Sequence, residues 1–418
     1  MDPLFDRLKA LGLVQANQVP NKRKEKSSKS FEEIIEGEEV SNSQGSCYLT
    51  RSFYPWNYQH GDVTFIMKDD FSLVADAGKA QGVRGKELSS LLFIDTETTG
   101  LSGGTGTLAF LVGLGYFDKN GFNLVQYIIR DPTEEASMLL EISNFIEKFS
   151  GFVSFNGKAF DIPLLRARYV MNRIPIPFED LSHLDLLFLA RKLWKNRLKS
   201  RALQDLEQEI LHIPRTQEEV PGWMIPEIYF DYLKTGNAEP LKGVIYHNGM
   251  DIVSLAALFL HISNSFDQIS TIENLHPVDY FSIGQLFWEM KINDLAESIF
   301  LECVESETLP EEMHLQSIKY IGAMYKKQER YDEAITFWKV ALEMGDIESA
   351  VELAKYYEHS AHDIQKALEC TESADQILSK RGYHSYQDRQ LRKELKKRKS
   401  RLMLASQKDK NHVSTQNS

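Results

Sequence analysis

The hydrophobic pattern predicts a strand-rich region between residues 90 and about 265. Short apolar runs at "LLFID", "TLAFLVGLGYF", "FNLVQYIIR" and "GFVSFN" predict strands, and "TEEASMLLEISNFIEKF" predicts a helix that begins at a Thr133 cap. The turn residues "DKNG" at 118–121 join the second and third strands into a hairpin. Three consecutive strands followed by a strand flanked by helices indicate a mixed α/β sheet.

Beyond residue 280 the pattern becomes helical and repeats. The stretches "YKKQERYDEAITFWKVAL" and "YYEHSAHDIQKALECTESA" have the spacing of tetratricopeptide (TPR) helix pairs, and "NDLAESIFLECV" resembles an earlier copy. Ala334 and Ala367 lie 33 residues apart, close to the ~34-residue period of that repeat. Such pairs stack into a solenoid with a concave face, which we expect to bind a protein partner or to position a substrate.

These patterns divide the chain into five segments. Residues 16–44 include "NKRKEKSSKS" and read as a solvated linker, whereas 47–80 are aromatic and either cover the next domain or form a small sheet beside it. The predicted segments are an N-terminal helix and linker at 1–44, a lead-in segment at 45–88, an α/β domain at 89–265, TPR-like helical repeats at 280–378, and a basic, disordered tail at 379–418.

Composition narrows the class of protein. The 418 residues are 42% hydrophobic and 26% charged, as in ordinary globular proteins, and no apolar stretch approaches the ~18 residues of a membrane span. The start "MDPLFDRLKALGLVQ" does not resemble a secretion signal, and three widely separated cysteines favour a reducing, cytoplasmic location. A net charge of -12 argues against coating nucleic acid over the whole surface but allows a local basic groove.

Two carboxylates, Asp95 and Glu97, end the apolar strand in "LFIDTETTG". Side chains alternate along a strand, so both project to one face and Thr96 projects to the other. Burying two neighbouring carboxylates is costly unless cations, hydrogen bonds or water compensate them. A divalent metal is one such compensation, and a strand that merely ends in a polar turn is the ordinary alternative.

Two further carboxylates strengthen the metal hypothesis. Asp161 follows a strand in "SFNGKAFDIPLL" and opens a helix, and Asp251 lies in "YHNGMDIVSLAALFL", a helix that is apolar on most faces. Each alone has an ordinary explanation, but together the four supply the oxygen ligands that Mg2+ or Mn2+ prefer. Two such ions stabilise the attacking and leaving oxygens when a phosphodiester is cleaved by water.

At these residues the sequence resembles a known family. "DTETTG", "NGKAFD" and "YHNGMD" resemble the three motifs of the DEDD exonucleases of the RNase H-like superfamily, and "FNGKAFDIPLL" and "HLDLLFLAR" are similar to the bacterial YprB family. The resemblance implies an α/β RNase H-like mixed sheet flanked by helices, followed by an all-α TPR-like domain. It also implies a two-metal 3'-5' exonuclease whose ligands are Asp95, Glu97, Asp161 and Asp251.

The general base is ambiguous, because the family has His five residues or Tyr four residues before the last Asp. Here Tyr246 holds the first slot and His247 the second. On a continuous helix His247 lies one turn from Asp251, whereas Tyr246 points about 140° away. An imidazole accepts a proton from the attacking water near neutral pH, which a phenol with a pKa of about 10 does poorly. We therefore favour His247, unless Gly249 breaks the helix.

Substrate contacts are predicted from a basic stretch, "ARKLWKNRLKSRALQDL". Its cations could track a phosphate backbone while Trp194 stacks on a base, or they could be a solvated helix face with Trp194 in the core. The loop "GLSGGTGT" lacks the GK[ST] of a P-loop but could let a nucleic-acid end approach. The predicted substrate-binding residues are Thr96, Asn156, Arg191, Lys192, Lys195 and Arg197, with Asp185 as a carboxylate supporting the site.

The sequence therefore predicts a metal-dependent exonuclease that acts on single-stranded or frayed DNA or RNA. Two alternatives stay open: a catalytically silent nuclease fold that serves as a scaffold for the TPR-like repeats, and a structure-specific endonuclease using the same site.

Overall fold

The structure is a computed structural model that describes residues 29–100, 106–214, 220–267, 275–382 and 385–416, with side chains described up to residue 407. The predicted N-terminal helix and the first part of the linker lie outside the described residues, as does most of the glycine loop at 100–107.

Nine strands lie in the described part of the chain, seven of them in one sheet. They are β1 (Glu38–Asn42), β2 (Gly45–Pro55), β3 (Gln59–His60), β4 (Val63–Thr64), β5 (Leu91–Thr98), β6 (Ala109–Asp118), β7 (Gly121–Ile128), β8 (Gly151–Ser154) and β9 (Ser182–Asp185).

Helices flank this sheet on both sides. Within the described residues up to 267 they are α1 (Phe31–Ile34), α2 (Ser72–Ala77), α3 (Glu135–Ile146), α4 (Asp161–Asn172), α5 (Leu186–Leu193), α6 (Leu203–Glu209), α7 (Ile225–Thr235) and α8 (Leu241–Asp267). Short 3-10 turns occupy Gln81–Val83, Leu88–Ser90, Pro132–Glu134 and Gly222–Met224.

The main sheet is mixed, as the sequence predicted. Its order is β1-β2-β7-β6-β5-β8-β9, in which β5, β8 and β9 are parallel and the other neighbouring pairs are antiparallel. The β6–β7 hairpin turns at 118–121 as expected. Because β5 and β8 are parallel neighbours, their carboxyl ends meet at one edge of the sheet. The polar residues that follow both strands are therefore brought together.

The alternating side chains of β5 explain why both faces are covered. Leu91 and Phe93 pack into a core shared with α5 and α8, whereas Leu92 and Ile94 pack into a second core with α3 and α4. A strand with apolar residues on both faces must lie between two layers of helices. This layering is the RNase H-like arrangement that the motifs predicted.

Helix α8 is the central helix of one layer. An 18-residue window of it has a mean hydropathy of 1.3, so by length and composition alone it could cross a membrane. However, 72% of that window is buried inside the molecule against the sheet and neighbouring helices. Its apolar character is therefore that of a core helix.

The predicted linker is wrong where it extends beyond residue 30. Helix α1 has a capping box between Ser30 and Glu33, and β1 forms the edge strand of the main sheet. Strand β2 also joins the main sheet, while β3 and β4 form the small separate sheet. The linker's polar composition hid an edge strand, since such a strand needs few apolar residues.

The predicted Thr133 cap is also corrected. Asp131 accepts a hydrogen bond from the Thr133 backbone N–H, residues Pro132–Glu134 form a 3-10 turn, and α3 begins at Glu135. An Asx-type capping bond at Asp131 competes with helix initiation at the next residues.

A region formed of helices follows, in which consecutive helices pack on each other. The described helices are α9 (Pro277–Glu289), α10 (Asn293–Glu305), α11 (Glu311–Lys327), α12 (Tyr331–Glu343), α13 (Ile347–His359), α14 (Ile364–Arg381) and α15 (Tyr386–Gln416). Lys291, Glu329 and His362 each have a positive φ and each lie two residues before a helix, so one turn geometry recurs three times. Ala334 and Ala367 are fully buried in α12 and α14.

The basic tail forms a helix rather than the predicted disordered segment. Leu395 and Leu402 of α15 are buried, and Arg398 and Arg401 both form ion pairs with Glu358 of α13. Leu391, Leu395 and Leu402 are spaced so that they fall on one helical face, and α15 packs on the preceding helix.

Burial of His60 is expected to make the folded protein less stable in acid. It is 6% exposed, its Nε2 lies 2.8 Å from Ser254 Oγ, and burial lowers its pKa to about 4. In the unfolded chain the His60 imidazole binds a proton below about pH 6.5, whereas in the native state it does so only near pH 4. The stability that comes from keeping His60 neutral is therefore fully present above about pH 6.5 and is lost as the pH falls. Between pH 7 and pH 5 the wild type should lose about 2 kcal/mol more free energy of unfolding than His60→Gln, which does not titrate. Urea unfolding at the two pH values measures this difference.

The matched control is His359→Gln, the same exchange at an exposed histidine. Parallel pH profiles for His60→Gln and the wild type would contradict the prediction.

Candidate active site

Four carboxylates from the three motifs influence one another electrostatically. Burial raises the pKa of Asp95 well above its usual value, and the nearby Asp161 and Asp251 raise it further. Burial likewise raises the pKa of Glu97, with added repulsion from Asp95 and Asp161. The strand end, the start of α4 and the middle of α8 therefore bring together the residues that the sequence singled out.

Asp161 is held by the strand beside it. Thr96 Oγ1 donates a hydrogen bond of 2.5 Å to Asp161 Oδ1, so the Thr96 hydroxyl positions a carboxylate. The carboxylate is 8% exposed, and burial raises its pKa. A Cβ on Gly157 would lie 2.4 Å from Ser154 Oγ and 3.2 Å from Asp161 Oδ2, so the loop can pack this closely only with glycine there.

The two candidate bases occupy different surroundings, because α8 is continuous through Gly249. His247 Nε2 lies 3.6 Å from Asp251 Oδ2 and 4.0 Å from Glu97 Oε1. Tyr246 is 39% exposed and lines a different cavity, of about 830 Å3, between α8 and β2. Of the two, His247 faces the carboxylates.

Asn248 belongs to the site although sequence reasoning missed it. It is fully buried, and its Nδ2 donates to Asp95 Oδ2 at 2.8 Å. Gln126 Nε2 donates to Asn248 Oδ1 at 2.9 Å, which fixes the orientation of the Asn248 amide. A Cβ on Gly113, opposite Asp95 in the sheet, would lie 2.4 Å from Asn248 Oδ1. A polar amide on an apolar helix, inside the third motif, was the available signal.

Replacing Asn248 by alanine should weaken metal binding by roughly 10–100-fold, the usual effect of losing a partner that orients a ligand. The measurement is the Mn2+ concentration needed to raise the melting temperature, which does not depend on turnover. Ser263→Ala, a buried polar residue farther along α8, serves as the control. Equal Mn2+ dependence in the two variants would show that Asn248 does not support the carboxylates.

Asp185 holds the loop between β8 and α4. Its two carboxylate oxygens accept backbone N–H groups of Asn156 at 2.8 Å and Lys158 at 3.1 Å. Asn156 adopts a left-handed backbone conformation, with φ 64°, which these bonds stabilise. Asp185 thus supports the loop that leads to Asp161.

A cavity of about 550 Å3 opens beside the carboxylates. Its lining includes Asp95, Asp251, Asn156 and Arg191. Two of the predicted substrate-binding residues, Asn156 and Arg191, therefore lie where a substrate could enter.

The other predicted cations do not line this cavity. Lys195 is on the surface, whereas Lys192 pairs with Glu289 at 2.5 Å and Arg197 pairs with Asp279 at 3.2 Å, both on α9. The expectation that Trp194 stacks on a base is wrong. Trp194 is 2% exposed and donates through Nε1 to Asp279 Oδ2, because the helical region covers it.

The donor set fits a hard divalent cation in kind. Among the described residues no three Asp, Glu, His or Cys side chains already converge in metal-ligand geometry. Nevertheless burial raises the pKa values of Asp95, Glu97 and Asp161, and repulsion from neighbouring carboxylates raises those of Asp95 and Glu97 further. Positive charge between them would relieve this repulsion, and carboxylate oxygens are the ligands that Mg2+ and Mn2+ prefer.

Comparisons with known proteins agree with this architecture. A model of the RNase H superfamily matches residues 92–263, the part that contains all three motifs. The uncharacterized protein YprB of Bacillus subtilis (strain 168) is 30% identical over 336 residues, which cover 78% of this chain and 80% of that protein.

A family B DNA polymerase from the archaeon Pyrobaculum calidifontis is a weaker structural match. It is 14% identical with a TM-score of 0.33, and the match covers 55% of this chain and 29% of the polymerase, too little to support a functional statement. From the superfamily match and the Bacillus relative, the chain belongs to the YprB family and carries an RNase H superfamily domain.

Proposed function

We propose that the protein is a two-metal-ion 3'-5' exonuclease of the DEDD type that hydrolyses single-stranded or frayed nucleic acid. The observation that carries the proposal is the meeting of Asp95, Glu97, Asp161 and Asp251, from three separate motifs, beside an open cavity. Membership of the RNase H superfamily supports a nuclease, and the polarity rests on the resemblance of the motifs to DEDD exonucleases.

In this proposal the four carboxylates hold Mg2+ or Mn2+. When bound, two such ions would stabilise the oxygens that attack and leave the phosphorus. His247 accepts the proton of the attacking water, for which its place beside Glu97 and Asp251 is suited. Asn248 orients Asp95, and Thr96 orients Asp161.

The same proposal covers the domain organisation and the cellular location. The nuclease domain spans about residues 89–265 and the TPR-like repeats about 280–378, for which the recurring turn at Lys291, Glu329 and His362 is the supporting feature. Such repeats offer a protein partner a concave face, and we place the protein in the cytoplasm.

The test is digestion of end-labelled DNA and RNA oligonucleotides in Mg2+ or Mn2+. We expect laddering from the 3' end that disappears in EDTA and in the Asp95→Ala, Glu97→Ala double variant. Cleavage of closed circles would instead indicate an endonuclease. Absence of cleavage by metal-loaded protein would contradict the proposal and favour a scaffold function for the nuclease fold.

A further inference from the structure

The cavity beside the carboxylates has a basic wall. Besides Asp95 and Asp251, its lining includes Arg191, Lys199 and Arg201. Arg191 projects from the end of α5, and the other two belong to the segment that connects α5 to α6. Three cations therefore share one cavity with two of the proposed metal ligands.

Two of these cations are available to an anionic ligand. Arg191 and Lys199 are exposed, and within the described residues no carboxylate lies within 4 Å of either. The neighbouring cations Lys192 and Arg197, in contrast, form ion pairs with acidic residues of α9. The chain thus separates cations that hold the helical region from cations that face the cavity.

Arg201 gives this wall a defined shape. Its NH1 donates to the backbone carbonyls of Leu198 at 3.0 Å and Lys199 at 2.9 Å, which closes a turn. Its Nε is buried and has no hydrogen-bond partner within the described structure. Because Nε itself is out of reach of a ligand, an anionic oxygen in the cavity would meet Arg201 through the accessible part of its side chain, where charge-assisted hydrogen bonds are strong.

The segment is anchored at its other end by the helical region. Asp279 of α9 accepts from Trp194 Nε1 at 3.2 Å and pairs with Arg197 at 3.2 Å. Anchoring on both sides reduces the conformational entropy that the segment loses when a ligand binds. The wall is therefore preorganised rather than a loose basic loop.

We propose that Arg191, Lys199 and Arg201 form a phosphate-binding wall that holds the backbone of a single nucleic-acid strand against the carboxylates. This rests on the proposed function, which makes the cavity the substrate site. Its volume of about 550 Å3 is that of a small-ligand pocket, which suits a strand end better than a duplex. Phe155 and Leu187, also in the lining, offer an apolar surface to a base, which favours nucleic acid over an acidic peptide.

The test measures binding without cleavage. Fluorescence anisotropy of a labelled single-stranded oligonucleotide is recorded at several salt concentrations in an Asp95→Asn, Asp251→Asn background, which removes hydrolysis and two negative charges facing the strand. Adding Arg191→Ala and Lys199→Ala should weaken binding roughly tenfold at moderate salt. The slope of log affinity against log salt should fall by about 1.4, or about 0.7 for each lost phosphate contact.

The matched control removes the same charge elsewhere. Lys86 and Lys119 are exposed and lie at the opposite end of the sheet from the carboxylates, so Lys86→Ala with Lys119→Ala should leave the affinity close to that of the background. Arg201→Lys, which keeps the charge but loses the guanidinium, should weaken binding more than this control does.

Several other outcomes would overturn the inference. Equal affinities and salt slopes in the two double variants would show that the wall does not bind phosphate, as would absence of oligonucleotide binding by the background protein. If polyglutamate displaces the labelled strand as well as an unlabelled oligonucleotide does, the wall is a nonspecific anion site. Cleavage by the wild type is measured separately. If the wild type cleaves but the wall substitutions leave binding unchanged, only the phosphate-binding wall is refuted. If the wall substitutions weaken binding but the wild type does not cleave, only the proposed hydrolase activity is refuted.

Discussion

Asp95→Asn is expected to reduce phosphodiester hydrolysis on the order of 1000-fold while stabilising the metal-free protein. In the proposed function Asp95 is a metal ligand, and loss of such a ligand removes several kcal/mol of transition-state stabilisation, where each 1.36 kcal/mol is about tenfold in rate. Removing one buried negative charge also relieves the repulsion from Asp161 and Asp251 that raises the pKa of Asp95. In EDTA the melting temperature should rise by several degrees, at roughly 2–4 °C per kcal/mol.

The sign of the pH dependence follows from the raised pKa. The native state holds the Asp95 proton more tightly than the unfolded chain, so the metal-free wild type gains stability as the pH falls and pays the full penalty above the native pKa. The advantage of Asp95→Asn should therefore be greatest at neutral pH and vanish in acid. Thermal unfolding in EDTA across pH tests this directly.

Metal and surface controls separate the causes. Mn2+ should raise the melting temperature of the wild type, because a ligand that binds the native state stabilises it, and should do so much less for Asp95→Asn. The exposed Asp180→Asn should behave like the wild type in both conditions. A metal-free Asp95→Asn protein less stable than the wild type would refute the electrostatic account of this site.

His247→Gln is expected to reduce kcat roughly 100- to 10000-fold, the range for loss of a general acid or base. The side chain is 10% exposed and faces Glu97 and Asp251, and glutamine approximates its volume without accepting a proton. The pH–rate profile should lose its acid limb, which a change in folding alone would not produce. KM should change little, because His247 is not among the residues that line the cavity proposed to bind the substrate.

Tyr246→Phe is the matched comparison on the adjacent residue. Tyr246 lines the separate cavity between α8 and β2, so removal of its hydroxyl should leave kcat within about twofold. A large loss of kcat for Tyr246→Phe with near-normal activity for His247→Gln would reverse the assignment of the base.

Local patterns were sufficient to predict strands β5 to β8 of the sheet, but not β9, the short strand that ends at Asp185. The apolar runs of β5 to β8 and the turn at 118–121 specify strands and a hairpin through interactions between residues close in the chain. The edge strand β1 was missed because it lies in a polar segment and is stabilised by pairing with β2, a contact between strands that composition does not reveal.

The sequence by itself determined the residue types of the site: three acidic motifs in order, an apolar helix around Asp251, and the one-turn spacing of His247 from it. Tertiary structure alone decided that Asn248 contacts Asp95, and that Asp279 withdraws Trp194 and Arg197 from the cavity that Arg191 lines. The physical reason is that local periodicity specifies which face a residue occupies. Which partner meets that face, and hence whether a cation is paired or available, depends on packing between distant segments of the chain.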